Sequence, residues 1–271
     1  MFDRGCLFAL FSTLATVANF VSAQEHDTGV AYPATVELDL VFPRNDTYAP
    51  APVFPVVFAV QNLAAAAPST SLFIDWSVAK PGDPWLASGT VRLDLAAWAN
   101  ATENPYYVAL WTEKLSQAES VGTYNLLWML RFTNCTIDLG YNRMTEPAAS
   151  DVRNTTIFTI REGAQRPDFV DGPDNCPVQG LTIEITGTRD TSGFDFTGLT
   201  NGHRSICGVV SHSPPPANPC VAKVNAAAAS SISAELTASA CAGSRPVLTT
   251  GCPPPNSAGA AQKWAWRAYL G

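Results

Sequence analysis

The stretch Val36-Glu37-Leu38-Asp39-Leu40 alternates apolar and acidic residues. Successive side chains of a β-strand point to opposite faces, so the three apolar residues share one face and the two acids share the other. The alternation predicts a strand with one face in the core and one face in water. The same pattern recurs at residues 72–78, 91–95 and 181–185.

Other runs are apolar on both faces and predict central strands, at residues 54–60, 106–111, 124–132 and 157–160. Turn-forming stretches such as Pro81-Gly82-Asp83-Pro84 separate the runs. About nine short strands at this spacing favour an all-β fold, an antiparallel β-sandwich of immunoglobulin-like architecture. Trp76 or Trp128 would fit the core of such a sandwich.

The composition changes at Pro214-Pro215-Pro216, which predicts a polyproline II spacer. The Ala-rich stretch that follows predicts a helix. A helix unbroken from Cys220 to Cys241 would hold them about 25–30 Å apart, too far for a disulfide with each other. We therefore predict a β-sandwich domain (24–213), a helical, disulfide-stapled extension packed on it (214–252) and a flexible tail (253–271).

The N-terminus has the features of a secretory signal peptide. Arg4 precedes a short apolar run at residues 7–18, and Val21-Ser22-Ala23 is a small-residue cleavage site. A membrane anchor or a buried helix is the alternative, but polar residues follow the run at once. We expect residues 1–23 to be removed, leaving Gln24 as the first residue of a secreted protein with no transmembrane segment.

Cysteine and sequon counts agree with export. Cys6 leaves with the signal, and an even number of cysteines in an exported chain predicts three disulfides. The six are Cys135, Cys176, Cys207, Cys220, Cys241 and Cys252. A candidate pair is Cys176 with Cys207, which bracket the strands near Ile183 and Ile206. Four sequons predict N-glycosylation, at Asn45, Asn100, Asn134 and Asn154.

Charge and hydrophobicity narrow the possible partners. The net charge is −7 and only 14% of residues are charged, whereas 46% are hydrophobic. Such a chain can bury a core. Its acidity argues against nucleic acid or an anionic membrane as a partner, because both require a basic surface.

Three stretches resemble a family of secreted proteins of filamentous ascomycete fungi known only as a domain of unknown function. They are residues 32–43, residues 55–62, and the segment from Asn218-Pro219-Cys220 to Cys241 with its Ala/Ser run. The resemblance covers about residues 30–252 and implies no assigned catalytic residue. Some members end in a Ser-rich stretch and a hydrophobic anchor signal, which this sequence lacks.

The histidines do not form an evident metal site. In lytic polysaccharide monooxygenases the mature N-terminal His holds copper, but cleavage before Gln24 would leave His26 third, where that chelate cannot form. His203 and His212 flank Cys207. Two histidines without adjacent ligands make an incomplete site, so we favour hydrogen-bonded roles and expect no metal or cofactor.

Two other sets of residues are candidates for sugar chemistry. Loop acids could act as acid and nucleophile in glycoside hydrolysis or bind calcium, although Asp is also a preferred turn residue; they are Asp171, Asp174, Asp190 and Asp195. Aromatic residues could form a stacking platform, although core packing is the commoner role; they are Trp85, Trp98, Tyr106, Tyr107 and Trp111, and we expect Trp85, after Pro84 in a turn, to be the most exposed.

No nucleophile elbow, zinc-protease helix motif or phosphate-binding loop occurs in the sequence. We therefore expect a non-catalytic, extracellular or cell-wall-associated glycoprotein that binds cell-wall polysaccharide or another extracellular protein. The alternatives are a secreted carbohydrate-active enzyme that uses loop carboxylates, and a structural wall protein.

Overall fold

The computed structural model describes residues 30–93, 104–138, 140–141, 143–145, 150–169, 176–177, 179–192, 195–197, 205–242 and 244–254. The predicted signal peptide, Gln24 and residues 255–271 of the predicted tail lie outside these ranges. No helix among the described residues is long and apolar enough to cross a membrane.

The described chain is mainly β-structure in three sheets. The first, called here the β1 sheet, has the order β13 (Ile206–Val210), β11 (Gly180–Asp190), β1 (Ala34–Phe42), β3 (Phe54–Gln61), β6 (Tyr106–Thr112). The second, the β7 sheet, has the order β2 (Thr47–Tyr48), β10 (Ser150–Ile160), β7 (Gly122–Phe132), β4 (Leu72–Ala79), β5 (Ala87–Leu93). A small third sheet has the order β12 (Asp195–Thr197), β9 (Arg143–Thr145), β8 (Thr136–Asp138).

Neighbouring strands are antiparallel except in the pairs β2–β10 and β9–β12. The prediction of a mainly antiparallel β fold is therefore confirmed.

The β1 and β7 sheets contact each other through aromatic side chains. The ring centroids of Phe58 and Trp128 lie 5.8 Å apart. Phe54 and Phe158 stack at 5.4 Å with an interplanar angle of 17°. All four side chains are buried, and Trp128 is the largest fully buried residue. These rings join the two sheets into one hydrophobic core.

Both faces of β1 are buried, which the sequence did not predict. Val36, Leu38 and Leu40 face the core as expected, but Glu37 and Asp39 are also buried, at 6% and 0% exposure. The expectation of a solvent-exposed acidic face is wrong. The reason is that residues 214–224 cross the outer face of the β1 sheet and cover both acids.

Hydrogen bonds fix this crossing on three adjacent strands. On β11, Thr182 Oγ1 donates to the Pro215 carbonyl at 2.6 Å. On β1, Glu37 Oε2 accepts from the Asn218 N–H at 2.8 Å. On β3, Gln61 Nε2 donates to the Asn218 carbonyl at 3.1 Å. The segment therefore lies across the strands rather than beside them.

The crossing continues over β6 and ends in the predicted Ala-rich helix, α1 (Ala226–Cys241). Tyr107 donates from its hydroxyl to the Lys223 carbonyl at 3.2 Å. Trp111 Nε1–H donates to Ser239 Oγ at 3.1 Å. The Asn225 side chain caps α1 by accepting from the Ala228 N–H. The buried side of α1 consists of residues three or four positions apart, Ala229, Ile232, Leu236 and Ala240.

Six cysteines form three disulfides: Cys135–Cys207, Cys176–Cys220 and Cys241–Cys252. The predicted pair Cys176–Cys207 is wrong. The Cys135 N–H donates to the Gly208 carbonyl, which brings the end of β7 beside β13 and supplies Cys207 with a nearer partner. Cys220 and Cys241 do not pair with each other, as the length of α1 requires.

We expect Phe58→Ala to lower the free energy of unfolding by about 3–5 kcal/mol, because it leaves a cavity between the two sheets. Ile157→Ala is the matched control, since Ile157 is half exposed on β10 and should lose less than about 1 kcal/mol. Denaturant titration of both variants measures the difference. Equal losses would contradict a core built around Phe58.

We expect peptide mapping under non-reducing conditions to recover the three pairs described above, and thiol titration of the denatured, unreduced protein to find no free thiol. A peptide linked through Cys176 and Cys207 would contradict the observed arrangement.

Candidate binding groove

Loops at one end of the molecule form two adjoining open depressions of about 420 and 350 Å³. Both are lined by Lys114 and Gln117, and together they are called here the Lys114 groove. The first is also lined by Pro52, Glu113, Ser116 and Val247. The second is also lined by Lys80, Asp83, Pro84, Leu86, Glu119, Ser120 and Tyr124.

Tyr124 forms a rigid floor for the second depression. Its side chain is almost fully buried, and its hydroxyl donates to the Ser120 carbonyl at 2.7 Å. Burial raises the pKa of the Tyr124 hydroxyl, so the group stays neutral. Lys80 Nζ lies 5.5 Å from the centroid of the Tyr124 ring and donates to the Val121 carbonyl at 3.3 Å. These contacts hold the Lys80 ammonium group in place above the Tyr124 ring.

The lining carries charges of both signs. Lys80 and Lys114 supply two cations, and the anions are Asp83, Glu113 and Glu119. The side chains of Gln117 and Ser120 add neutral hydrogen-bonding groups. The groove can therefore donate to and accept from an uncharged polar ligand.

One wall of the groove comes from the extension. Val247 follows α1 in a loop that returns to it, and the Val247 N–H donates to the Ala240 carbonyl at 2.9 Å. Cys241 and Cys252 close this loop covalently. The 242–251 loop is thereby held next to residues 113–117, which follow β6.

Trp85 stands at the edge of the groove. It is 70% exposed in the β4–β5 connection, between Pro84 and Leu86, which both line the groove. The Leu86 N–H donates to the Val78 carbonyl at 2.8 Å, so the chain is anchored directly after Trp85. The result is a large aromatic ring that faces solvent from a fixed backbone.

The predicted five-residue aromatic platform is not formed. Tyr106 is buried in the core, and the side chains of Tyr107 and Trp111 bond to the extension. Trp98 lies outside the described residues. Trp85 is thus the one member of the set that the described structure leaves largely exposed.

Of the acids and histidines singled out from the sequence, the described structure places only the side chains of Asp190 and His212. Asp190 Oδ1 accepts from the Ser192 N–H at 2.7 Å, a turn contact. Asp171, Asp174, His26, His203 and the side chain of Asp195 lie outside the described residues. His212 is exposed. Within the described ranges, no group of three or more His, Cys, Asp or Glu side chains could hold a metal ion.

The four sequons differ in environment. Asn45 is exposed in the turn between β1 and β2. Asn134 is half-buried beside Cys135, and its Oδ1 accepts from the Val210 N–H at 3.0 Å. Asn154 is half-buried within β10, and Asn100 lies outside the described residues. Glycosylation at these positions stays a prediction.

Sequence reasoning missed both the groove and the buried acids. The groove combines Pro52, Lys114 and Val247, which are far apart in the chain, and no local motif marks them. The burial of Glu37 and Asp39 depends on Asn218, whose N–H bonds to Glu37 across 181 positions of sequence. A Pro-rich segment that follows an apparently complete β domain is the only signal the sequence offers.

No curated protein and no solved structure matches the chain. Residues 31–250 match one protein family, which is described as a domain of unknown function, DUF7136. The matched range includes the β1 and β7 sheets, α1 and residues from both depressions of the groove. The chain therefore belongs to the DUF7136 family.

Proposed function

We propose that the protein is an extracellular, non-catalytic glycoprotein that binds a neutral polysaccharide, such as one of a cell wall, at the Lys114 groove. The observation that carries the proposal is the 70% exposure of Trp85 between two residues that line the groove. A sugar ring has an apolar C–H face that packs on an aromatic ring and hydroxyls that bond to polar side chains. Trp85 and the polar lining offer both kinds of contact.

The charges favour a neutral ligand. Two lysines and three acids leave the groove near balance, and the whole chain carries a net charge of −7. A polyanion would be repelled by the overall negative field, whereas an uncharged polymer would not.

The open shape favours a polymer over a small molecule. Small-ligand sites are usually concave and bury most of the ligand surface. Two adjoining depressions that share Lys114 and Gln117 instead suit consecutive units of a chain that enters and leaves through solvent.

The proposal includes an extracellular location and a specific architecture. Three disulfides are consistent with an oxidising compartment. Within the proposal, residues 1–23 are a cleaved signal, the four sequons carry glycans, and the two contacting sheets are a β-sandwich of immunoglobulin-like architecture.

We expect the secreted protein to be retained on one or more of insoluble β-glucan, chitin and xylan, but not on polyanionic pectin, without releasing soluble sugar. Trp85→Ala should weaken retention at least about tenfold, because loss of a tryptophan that anchors a ligand costs about 2 kcal/mol. Pull-down isotherms on each polysaccharide measure the change.

The matched control is Tyr141→Ala. Tyr141 is 82% exposed between β8 and β9 and does not line the groove, so its removal should leave retention unchanged. Equal retention by wild type and the Trp85 variant would contradict this site. Release of oligosaccharides would instead favour the carbohydrate-active enzyme, and absence of retention on every polymer would contradict the proposed ligand class.

We expect the double variant Cys241→Ser, Cys252→Ser to lower both stability and binding. Loss of a short disulfide-closed loop costs about 2–3 kcal/mol of unfolding free energy. It also frees Val247 from its place in the groove wall, so retention should fall several-fold at temperatures where the variant stays folded. Val221→Ala is the control, because Val221 is exposed on the extension outside the groove. Unchanged retention by the double variant would show that the 242–251 loop takes no part in binding.

A further inference from the structure

Two acids are buried together where the extension crosses the β1 sheet. Glu37 and Asp39 lie on the outer face of β1, and one oxygen of each has a donor. Asn218 N–H donates to Glu37 Oε2 at 2.8 Å, and Gln61 Nε2 donates to Asp39 Oδ2 at 2.7 Å. Gln61 also donates to the Asn218 carbonyl, so these four residues form one network.

The second oxygen of each acid has no hydrogen-bond donor among the described residues. These atoms are Glu37 Oε1 and Asp39 Oδ1. Both crowd the same point above β11, because a Cβ added to Gly180 would lie 2.7 Å from the first and 2.6 Å from the second. Gly180 pairs with Asp39 in the ladder, and its missing side chain gives the two carboxyl groups room. A proton kept by one of the two carboxyl groups can be donated to the other and satisfies both acceptors.

Among the described residues, no ion pair joins Glu37 or Asp39 to a cation. β3 has no charged residue, and β1 has none besides these two acids. On β11 the charged residues are Glu184, Arg189 and Asp190, and on residues 214–224 the only one is Lys223. Burial is the first cause that raises the pKa of Asp39, to about 8; the hydrogen bond and the negative charge of Glu37 raise it further, and the Gln61 hydrogen bond opposes them. At neutral pH the Asp39 carboxyl therefore keeps its proton.

We propose that Glu37 and Asp39 form a proton-operated clasp that fastens the C-terminal extension to the β1 sheet. With one shared proton, the pair accepts a hydrogen bond from the Asn218 N–H. It then lies under the crossing segment with little buried charge. When the proton leaves, two carboxylates repel each other in a buried site without a counter-ion. The crossing segment then lifts, and water reaches both acids.

The direction in which stability changes with pH follows from the raised pKa of Asp39 in the folded protein. The unfolded chain has the ordinary value of about 3.9, so folding takes up a proton between about pH 4 and pH 8. The contribution to stability is fully present below pH 4 and is lost as the pH rises through about 8. Within that window the opening equilibrium increases by up to about tenfold per pH unit.

The test compares hydrogen exchange at the Asn218 amide in wild type and Asp39→Asn, using the full secreted chain. In wild type the protection factor, corrected for intrinsic exchange, should fall from pH 5 to pH 8 by up to about tenfold per pH unit. In Asp39→Asn the side-chain NH₂ replaces the shared proton as a permanent donor to Glu37, so protection should stay high and nearly level.

Glu162→Gln is the matched control, because Glu162 is exposed and the variant makes the same carboxyl-to-amide change away from the pair. It should keep the wild-type pH dependence. If Asp39→Asn does not fold, Glu37→Gln provides the same donor from the other side of the pair. Protection in wild type that does not change with pH, or the same pH dependence in Asp39→Asn and Glu162→Gln, would overturn the clasp.

Discussion

The contact between Asn218 and the outer face of β1 is the constraint on which much of the molecule depends. It joins positions 181 residues apart and makes the β1 sheet a middle layer, with the β7 sheet on one side and the extension on the other. In strands covered on both faces, an apolar–polar alternation does not mark an exposed face. This explains why every residue of β3 is buried, and why Asp39 belongs to an interface rather than to the surface.

The extension also connects the core to the groove. The chain that crosses β11, β1 and β3 continues through α1 and returns as the 242–251 loop, which supplies Val247. Trp85 and Lys80 come from the β7 sheet, whereas Lys114 follows the edge strand of the β1 sheet. The groove is therefore assembled where the two sheets and the extension meet, and its shape depends on their packing.

Much of the secondary structure could be predicted because its cause is local. Alternation identified β1, β4, β5 and β11, apolar runs identified β3, β6, β7 and part of β10, and alanine content identified α1. The burial of the polar face of β1 could not be predicted. Alternation shows which residues share a face of the strand, but it does not show which face a later segment of the chain covers. The pairing of Cys176 failed for the same reason, since it depends on which strand ends become neighbours in space.

The site was less predictable than the fold. Among the described aromatic candidates, turn chemistry pointed correctly to Trp85. The adjacent residues Tyr106 and Tyr107 illustrate the difficulty, because a strand sends them to opposite faces, one into the core and one to the extension. The polar lining of the groove carries no motif, since its residues come from two separate connections, β4–β5 and β6–β7.

Two of the disulfides affect what happens when the backbone is cleaved. Cys135 pairs with Cys207 and Cys176 with Cys220, so the two bridges cross in sequence order. A single backbone cleavage anywhere between Cys135 and Cys220 leaves at least one bridge spanning the cut. The β11–β13 region can therefore be nicked once by a protease without division of the molecule into separate fragments, a form of protection that packing alone does not provide.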